Sequence, residues 1–512
     1  MSDGSRTKHT LDKDLGRLAN IGEATGFVVR GLAVPGLALV FLVLAAIFAS
    51  FYVLGEPRAL VIVVATAIGA YLALNIGAND VANNVGPAVG AKAMTMASAL
   101  IMAALFETIG ALVAGDAVVA TISTEIVSPA TVSDPALLIR LMLAALISSA
   151  LWINFSTWIG APVSTTHAVV GGVVGAGAAA AGPAAVNWLS ITTIGMSWVA
   201  TPILGAAAAI GFQAFIKTAI IYQDDKIAAA RRWIPVLVAL MSGCFAAYLL
   251  SRLLRETGWQ ARTLVGIGCF AIAWVAAHRS IWRQSEGMEN RNRSLRQLFR
   301  LPLVGAAALL SFAHGANDVA NSIGPLAAIV HAARRSEVAD VIDIPLWVMM
   351  IGAFGISCGL LLYGPKLIRI VGGEITKLNP MRAYSVALAV AIIVIAASWF
   401  GMPVSSTHIA VGAVFGVGFF REWYIAHSAH RRAYLQRKQA RKRDMRANQV
   451  LDPTDEDDAE EDPRKQPSRE EINRRRLVRR AHLVTIVTAW ATTVPAAAVL
   501  SALVFHLIET FP

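Results

Sequence analysis

Two copies of one polar cluster interrupt otherwise apolar sequence. Gly77-Ala78-Asn79-Asp80-Val81-Ala82-Asn83-Asn84-Val85-Gly86-Pro87 returns as Gly315-Ala316-Asn317-Asp318-Val319-Ala320-Asn321-Ser322-Ile323-Gly324-Pro325, identical at nine of eleven positions. Asn oxygens and Asp carboxylates are hard ligands, suited to Na+ or to a proton relay. An Asp in a membrane segment costs about 2.5–3.5 kcal/mol on insertion scales, so a duplicated one asks for a reason. Each Asp stands between a Gly and a Gly-Pro pair, which should interrupt the helical ladder and free backbone carbonyls. Asn79, Asp80, Asn317 and Asp318 are therefore candidate ion-coupling residues, with Asp80 and Asp318 as metal ligands if the ion is Na+. Asn83 and Asn321, one helical turn on, are candidate substrate contacts. The plain alternative is that these side chains cap ordinary helix starts at the membrane surface.

A second block, Pro162-Val163-Ser164-Thr165-Thr166-His167, returns as Pro403-Val404-Ser405-Ser406-Thr407-His408. Asn79 precedes His167 by 88 residues and Asn317 precedes His408 by 91. Hydroxyls ahead of an apolar helix are N-cap residues, and a helix N-terminus offers unpaired N–H groups and a partial positive charge to an anion. Ser164, Thr165, Thr166, Ser405, Ser406 and Thr407 are candidate oxyanion ligands, with local capping as the alternative. His167 and His408 are candidates for a proton or anion contact, or else hydrogen-bond backbone in a packed bundle. Glu107 is an acid within an apolar helix whose second-half counterpart, Phe354-Gly355-Ile356-Ser357, has none. That asymmetry makes it a candidate coupling residue, against a structural, hydrogen-bonded Glu. A weaker pair joins Trp198…Thr201-Pro202 to Trp490…Thr493-Val494-Pro495, and Glu125-Ile126 resembles Glu374-Ile375.

Charge then constrains mechanism. Two carboxylates plus an anion would gather about three to four negative charges, while each helix N-terminus supplies only about half a positive one. No Lys or Arg repeats in the motifs, although Lys92 is near one of them. Burying such a cluster without mobile cations is prohibitive, so an anion site here implies that Na+ or H+ enters alongside. No nucleotide-binding loop is present to suggest ATP drive.

The elements that must hold these residues are membrane helices. Of 512 residues, 56% are apolar and 15% charged, and 29 of the charged residues crowd into 421–482. A soluble enzyme, a coiled coil, a disordered chain and a disulfide scaffold are excluded, and an all-α polytopic membrane protein is indicated. The net charge of +11 reads as cytoplasmic loops rather than as a nucleic-acid surface. Cys244, Cys269 and Cys358 read as small buried hydrophobes. Apolar runs cover about 31–54, 59–76, 95–114, 136–159, 163–182, 186–215, 234–254, 262–278, 302–313, 345–364, 380–400, 403–420 and 483–508. The Gly-rich or short ones (163–182, 302–313, 403–420) are expected to be broken or re-entrant. The loop 116–139 carries three acids and no Lys or Arg, whereas its second-half counterpart carries Lys366, Arg369, Lys377 and Arg382. Equivalent loops thus face opposite sides, and the halves are inverted if each makes five crossings. The expected order is a polar segment and extra helix (1–58), a first repeat (59–216), a two-helix linker (217–300), a second repeat (301–420), a charged insert (421–482) and a last helix (483–512). The N-terminus and the insert, partly helical and with an acidic run from Asp452 to Asp462, are placed in the cytoplasm of a cell whose plasma (inner) membrane the chain crosses many times. Inverted repeats are the signature of secondary transporters, with the site where broken helices meet at the midplane.

Both motif pairs, together with Phe106-Glu107 and the Ala313-His314-Gly315 lead-in, resemble the inorganic phosphate transporter (PiT) family over about 59–216 and 301–508. The resemblance implies a symporter of inorganic phosphate with Na+ or H+ as coupling ion, no covalent cofactor, and in some bacterial members a divalent metal carried with the phosphate. It puts Asn79, Asp80, Asn317 and Asp318 in the ion and substrate region and the hydroxyl clusters at the anion. Partners implied are phosphate and the lipid bilayer; a homo-oligomer stays open, since the sequence does not give the oligomeric state, and no nucleic acid is expected. The alternatives are a sulfate or other oxyanion symporter, an anion channel without coupling, and an intramembrane enzyme whose Ser, His and Asp imitate a triad.

Overall fold

In hydrocarbon every backbone N–H and C=O must find an internal partner, so long apolar runs fold as helices. The computed structural model describes residues 33–510 except 129–130, 160–162, 340, 375–377 and 448–479. The segment 1–32, Pro162, Ile375, Lys377 and the Asp452–Asp462 run lie outside the described residues, as do the side chains of Arg369 and Glu374. Among the described residues twelve helices are long and apolar enough to span a bilayer, and the shorter Thr165–Ala181 makes a thirteenth apolar helix. Among the described residues the only β pairing is one isolated bridge, Val127 to Val186.

Ahead of the first repeat lies α1 (Ala33–Val53). The repeat comprises α2 (Ala59–Asn84), the short α3 (Gly86–Gly90), α4 (Met96–Ala114), α5 (Asp116–Ala120), α6 (Pro135–Trp158), α7 (Thr165–Ala181) and α8 (Trp188–Ile216). A linker follows with α9 (Lys226–Leu253), α10 (Trp259–Gln284) and the short α11 (Asn292–Leu298). The second repeat runs through α12 (Arg300–Arg335), α13 (Leu346–Glu374), α14 (Pro380–Trp399), α15 (Ser406–His427), the charged α16 (Ala429–Ala447) and α17 (Arg480–Thr510). Side-chain caps start many of them: Thr95, Asp134, Ser164, Asn187, Asp225, Asn379 and Ser405 each accept a first-turn N–H. Helix α15 runs on to His427 and α17 begins at Arg480, inside the stretch read as insert. Cys244 is exposed rather than buried, on the outer hairpin of α9 and α10.

Seven connections join the long helices from α2 to α12, an odd number, as an inverted arrangement of the two repeats requires if each of these helices crosses the bilayer. Their packing is reciprocal. Helix α2 lies on α13 and α12 on α4, while α7 lies on α17 and α15 on α8. Thr108 and Ser357 meet hydroxyl to hydroxyl at 2.7 Å, where the two halves are related to each other. A Cβ on Gly77 would strike the carbonyl of Ile356, and one on Gly315 the carbonyl of Glu107. Glu107 therefore corresponds to Ile356, one residue later than an alignment of Phe106 with Phe354 suggests. Ala in place of either glycine should drive these backbones apart; overpacking of this kind costs about 1–3 kcal/mol or more. Gly77→Ala and Gly315→Ala are expected to lower the thermal stability of the purified protein. A melting profile like that of the parent for both would refute this close approach.

The expectation of a broken second copy is not met. The short run 302–313 is the start of a single 36-residue helix that carries the whole Gly315–Pro325 motif. Every residue from Ala306 to Val330 of it is buried. The small residues let neighbours close in, and the continuous ladder satisfies the backbone. Pro325 still has no N–H for the carbonyl of Asn321. In the first copy the helix does end, at Val85 just before Gly86-Pro87.

Candidate functional site

Asp318 lies at the middle of α12, about 27 Å from either end at 1.5 Å per residue. Asp80 sits near the C-terminal end of α2. The chain reaches them again through two helix starts. Ser164 caps α7 by accepting the N–H of His167, and Ser405 caps α15 by accepting that of His408. These two serines are thus engaged in capping. The hydroxyls that follow them face the carboxylates.

The contacts have a crossed pattern. Each Asp takes the first hydroxyl of its own half: Thr165 donates to Asp80 at 3.3 Å and Ser406 to Asp318 at 3.1 Å. Each Asn reaches the next hydroxyl of the other half. Asn83 donates to Thr407 at 2.9 Å, and Asn321 donates to Thr166 at 3.1 Å and to Thr165 at 3.4 Å. Thr407 also donates to Asp80 at 2.9 Å, and Thr166 to the carbonyl of Val404 at 3.0 Å. Asn79 and Asn317 anchor the preceding turns: Asn79 donates to the Val163 carbonyl at 3.3 Å, and Asn317 to that of Met402 at 3.1 Å while accepting from Val404 N–H. His167 and His408 face each other edge-on with ring centroids 4.5 Å apart, and Trp198 packs on His167 at 3.8 Å while its indole N–H holds the Pro403 carbonyl. Lys92 is exposed and is not part of this cluster.

Sequence reasoning gave no role to His314, although a lone His four residues before an Asp in an apolar run is a signal. Its Nε2 lies 2.9 Å from Asp318 and 3.8 Å from Asp80, and its Nδ1 lies 3.2 Å from Glu107. A ligand atom from each of Asp80, His314 and Asp318 falls within one 4.8 Å cluster, so these three could hold a cation. Asn84 donates to Glu107 at 2.7 Å. Glu107 therefore joins the site through His314 rather than by touching the hydroxyls. The same positions in the opposite repeat are Ile76, Ile356 and Ser322, so this branch of the site has no twin.

The two carboxylates differ in their partners. Asp80 accepts from Asn79, Thr165, Thr407 and, at 3.5 Å, Asn83. On Asp318 one oxygen takes Ser406, while Oδ1 is buried with no donor. Glu107 Oε2, Asn84 Oδ1 and Asn321 Oδ1 are likewise buried acceptors without a donor. Unpaired buried acceptors are costly, and oxygens of this kind fit a hard cation or a protonated oxyanion. If ionised, three carboxylates set against one imidazolium and two helix N-termini worth about half a charge each leave the site negative before any anion arrives. The geometry can therefore bind an oxyanion on hydroxyls and first-turn N–H groups only with cations beside it.

A profile of the phosphate transporter family matches residues 76–501. A provisionally named phosphate permease of Helicobacter pylori (strain J99 / ATCC 700824) is 44% identical over 499 residues, covering 92% of this chain and 94% of that one. One of Pyrococcus abyssi (strain GE5 / Orsay) is 36% identical over 359 residues, covering 69% of this chain and 87% of the other. A solved structure named as the sodium-dependent phosphate transporter matches with a TM-score of 0.74 at 29% identity, covering 88% of this chain and all of that one.

Proposed function

The chain belongs to the phosphate transporter family, and from that premise we propose that it imports inorganic phosphate together with Na+ or H+ by alternating access. It is a multi-pass membrane transporter and not an enzyme. The observation that carries the coupling is the excess of buried acceptor oxygens: Asp318 Oδ1, Asn321 Oδ1 and Glu107 Oε2 have no donor, beside two carboxylates aimed at the hydroxyls of two helix N-termini. Phosphate sits against Thr165, Thr166, Ser406 and Thr407 and the N-terminal dipoles of α7 and α15. Asp80 and Asp318 would hold Na+ if that is the ion, with hydroxyl oxygens completing a hard-ligand set. His314 and Glu107 balance the charge. A phosphate O–H can donate to a carboxylate and sulfate has none at neutral pH, which favours phosphate at a site so rich in acceptors.

The chain lies in the plasma (inner) membrane with its N-terminus and the 421–482 insert in the cytoplasm, as the basic loops require. Asn79 and Asn83 are half-buried whereas Asn317 and Asn321 are buried, so the two copies differ in access, as one state of an alternating cycle would. Likeness to a transporter named as sodium-dependent makes Na+ the first ion to test. Labelled phosphate uptake into proteoliposomes is expected to rise at least tenfold under an imposed Na+ or H+ gradient and to resist excess sulfate. A Mg2+ gradient should drive uptake only if a metal phosphate is the carried species. Uptake indifferent to all three gradients would overturn coupling and favour a channel.

A further inference from the structure

Helix α5 (Asp116–Ala120) runs straight into a π-helical turn, Thr121–Glu125, and such turns recur at functional sites. Together they pack on parts of the second repeat that frame the central site. A Cβ on Gly115 would strike Val319, the neighbour of Asp318, and one on Gly324, just beyond Asn321, would strike Ile122. Gly401, at a φ of +67°, turns the chain against the carbonyl of Ala117 and the hydroxyl of Thr121. The next residue, Met402, holds Asn317 through its carbonyl. Asn317 and Asn321 are buried, whereas Asn79 and Asn83 are half-buried. The segment 116–125 thus covers the site on the side toward which α12 ends.

This cover is held from outside both repeats. Asp116 Oδ1 accepts from Arg252 Nη2 and Oδ2 from Arg255 Nη2, so two guanidiniums at the end of α9 take one carboxylate between them. The Arg252 side chain is 12% exposed, that of Asp116 38% and that of Arg255 68%. A charge-assisted bond outweighs an ordinary one, and exposure weakens it, so Arg252 is the firmer partner. The same face of α9 grips the second repeat. Phe245 packs on Phe312 with ring centroids 4.9 Å apart, and Tyr248 packs on Phe312 at 6.1 Å and on Trp399 at 5.8 Å. Phe245, Tyr248 and Arg252 follow at steps of three and four, which places them on one side of the helix. The opposite repeat has no acid at the equivalent position. Thr108 meets Ser357, and the same register matches Asp116 to Pro365, which lies inside the continuous α13.

We propose that Asp116 with Arg252 and Arg255 is a latch, by which the linker hairpin holds the 116–125 segment shut over one side of the central site. Opening that side requires Ile122 to leave Gly324 and Thr121 to leave Gly401. The ion pairs part and re-form readily, while the aromatic grip of α9 on α12 and α14 stays in place. The latch stabilises the closed arrangement alone, so its strength sets the share of chains open on that side. Resting on the transport reading above, that side is the outer one, since the loop 116–139 has no Lys or Arg. The latch then governs how often the carrier opens outward.

The test uses the full chain in nanodiscs, with Cys244→Ala, Cys269→Ala and Cys358→Ala as background and Thr121→Cys as reporter. Thr121 is buried under the Gly401 turn, so a water-soluble maleimide reaches a thiol there only when the segment lifts, and the labelling rate reads the open share. Asp116→Asn is expected to label about tenfold faster than this background and Arg255→Gln about threefold faster. Arg255 is the exposed member, so its replacement leaves packing untouched. Adding Arg252→Gln to Asp116→Asn should bring no further rise, since both remove the same contact. Raised salt should speed labelling of the background and not of Asp116→Asn. Labelling needs neither phosphate nor a gradient, so it tests the latch whether or not the transport reading holds. In uptake, Asp116→Asn should reach half-saturation at several-fold lower external phosphate, because more carriers wait open; faster labelling without that shift overturns the link to transport. Labelling rates unchanged by both Asp116→Asn and Arg255→Gln overturn the latch itself.

Discussion

Asp318→Asn is expected to cut gradient-driven phosphate uptake about thirtyfold while the chain stays folded in the membrane. A charged group's lost interaction is worth about 1.5–3 kcal/mol, and about 2 kcal/mol is a factor of roughly thirty in binding. The reason for a clean loss is the unequal dress of the two carboxylates. Asp318 Oδ1 has no donor to disappoint, so an amide there removes negative charge without stranding a neighbour. Asp80→Asn should lose as much uptake and also weaken the fold. Both of its oxygens take protein donors, and an amide NH2 turned toward any of them sets donor against donor. Uptake in proteoliposomes, read beside melting temperature, separates the two variants. Near-parental transport by both would refute their assignment as coupling carboxylates.

Much of this arrangement was legible because duplication makes short motifs statistically loud. The nine identical positions between Gly77–Pro87 and Gly315–Pro325, and the matched spacing to the Ser-Thr-His blocks, pointed to two equivalent helix starts and two equivalent carboxylates. Thirteen apolar segments could be counted because hydrocarbon length and hydropathy are one-dimensional properties. What the chain could not display was choice of partner. Nothing in the spacing says that Thr165 serves the Asp of its own repeat while Thr166 is held by the Asn of the other. That depends on how α7 and α15 approach each other in space. The continuity of α12 was hidden for a related reason. Gly315 and Pro325 look like breakers in isolation, yet Gly315 is needed where α4 presses on α12, and tight packing keeps the ladder intact. The Glu107 register was misread by one residue because Phe106 and Phe354 invite alignment, while the helix contact pairs Glu107 with Ile356.

Glu107→Ile combined with His314→Ile is the variant with the most to say about that asymmetry. It rebuilds on one side the apolar pair, Ile76 and Ile356, that the opposite repeat already carries. Glu107 and His314 are both buried and lie 3.2 Å apart. Removing one member of such a pair leaves an uncompensated buried group and costs about 3–5 kcal/mol, whereas replacing both with apolar side chains is often neutral or stabilising. Either single Ile variant should therefore melt well below the parent, and the double should melt above both singles. Asp318, with its nearest contact to His314 at 2.9 Å, will feel the loss in every variant that lacks the imidazole. If the branch exists to balance charge as cation and phosphate enter, uptake stays at least tenfold down in the double even though its fold recovers. If it were only scaffolding, uptake would return with stability. The split between the two readouts decides the matter, because a structural role predicts that they move together and a coupling role predicts that they part.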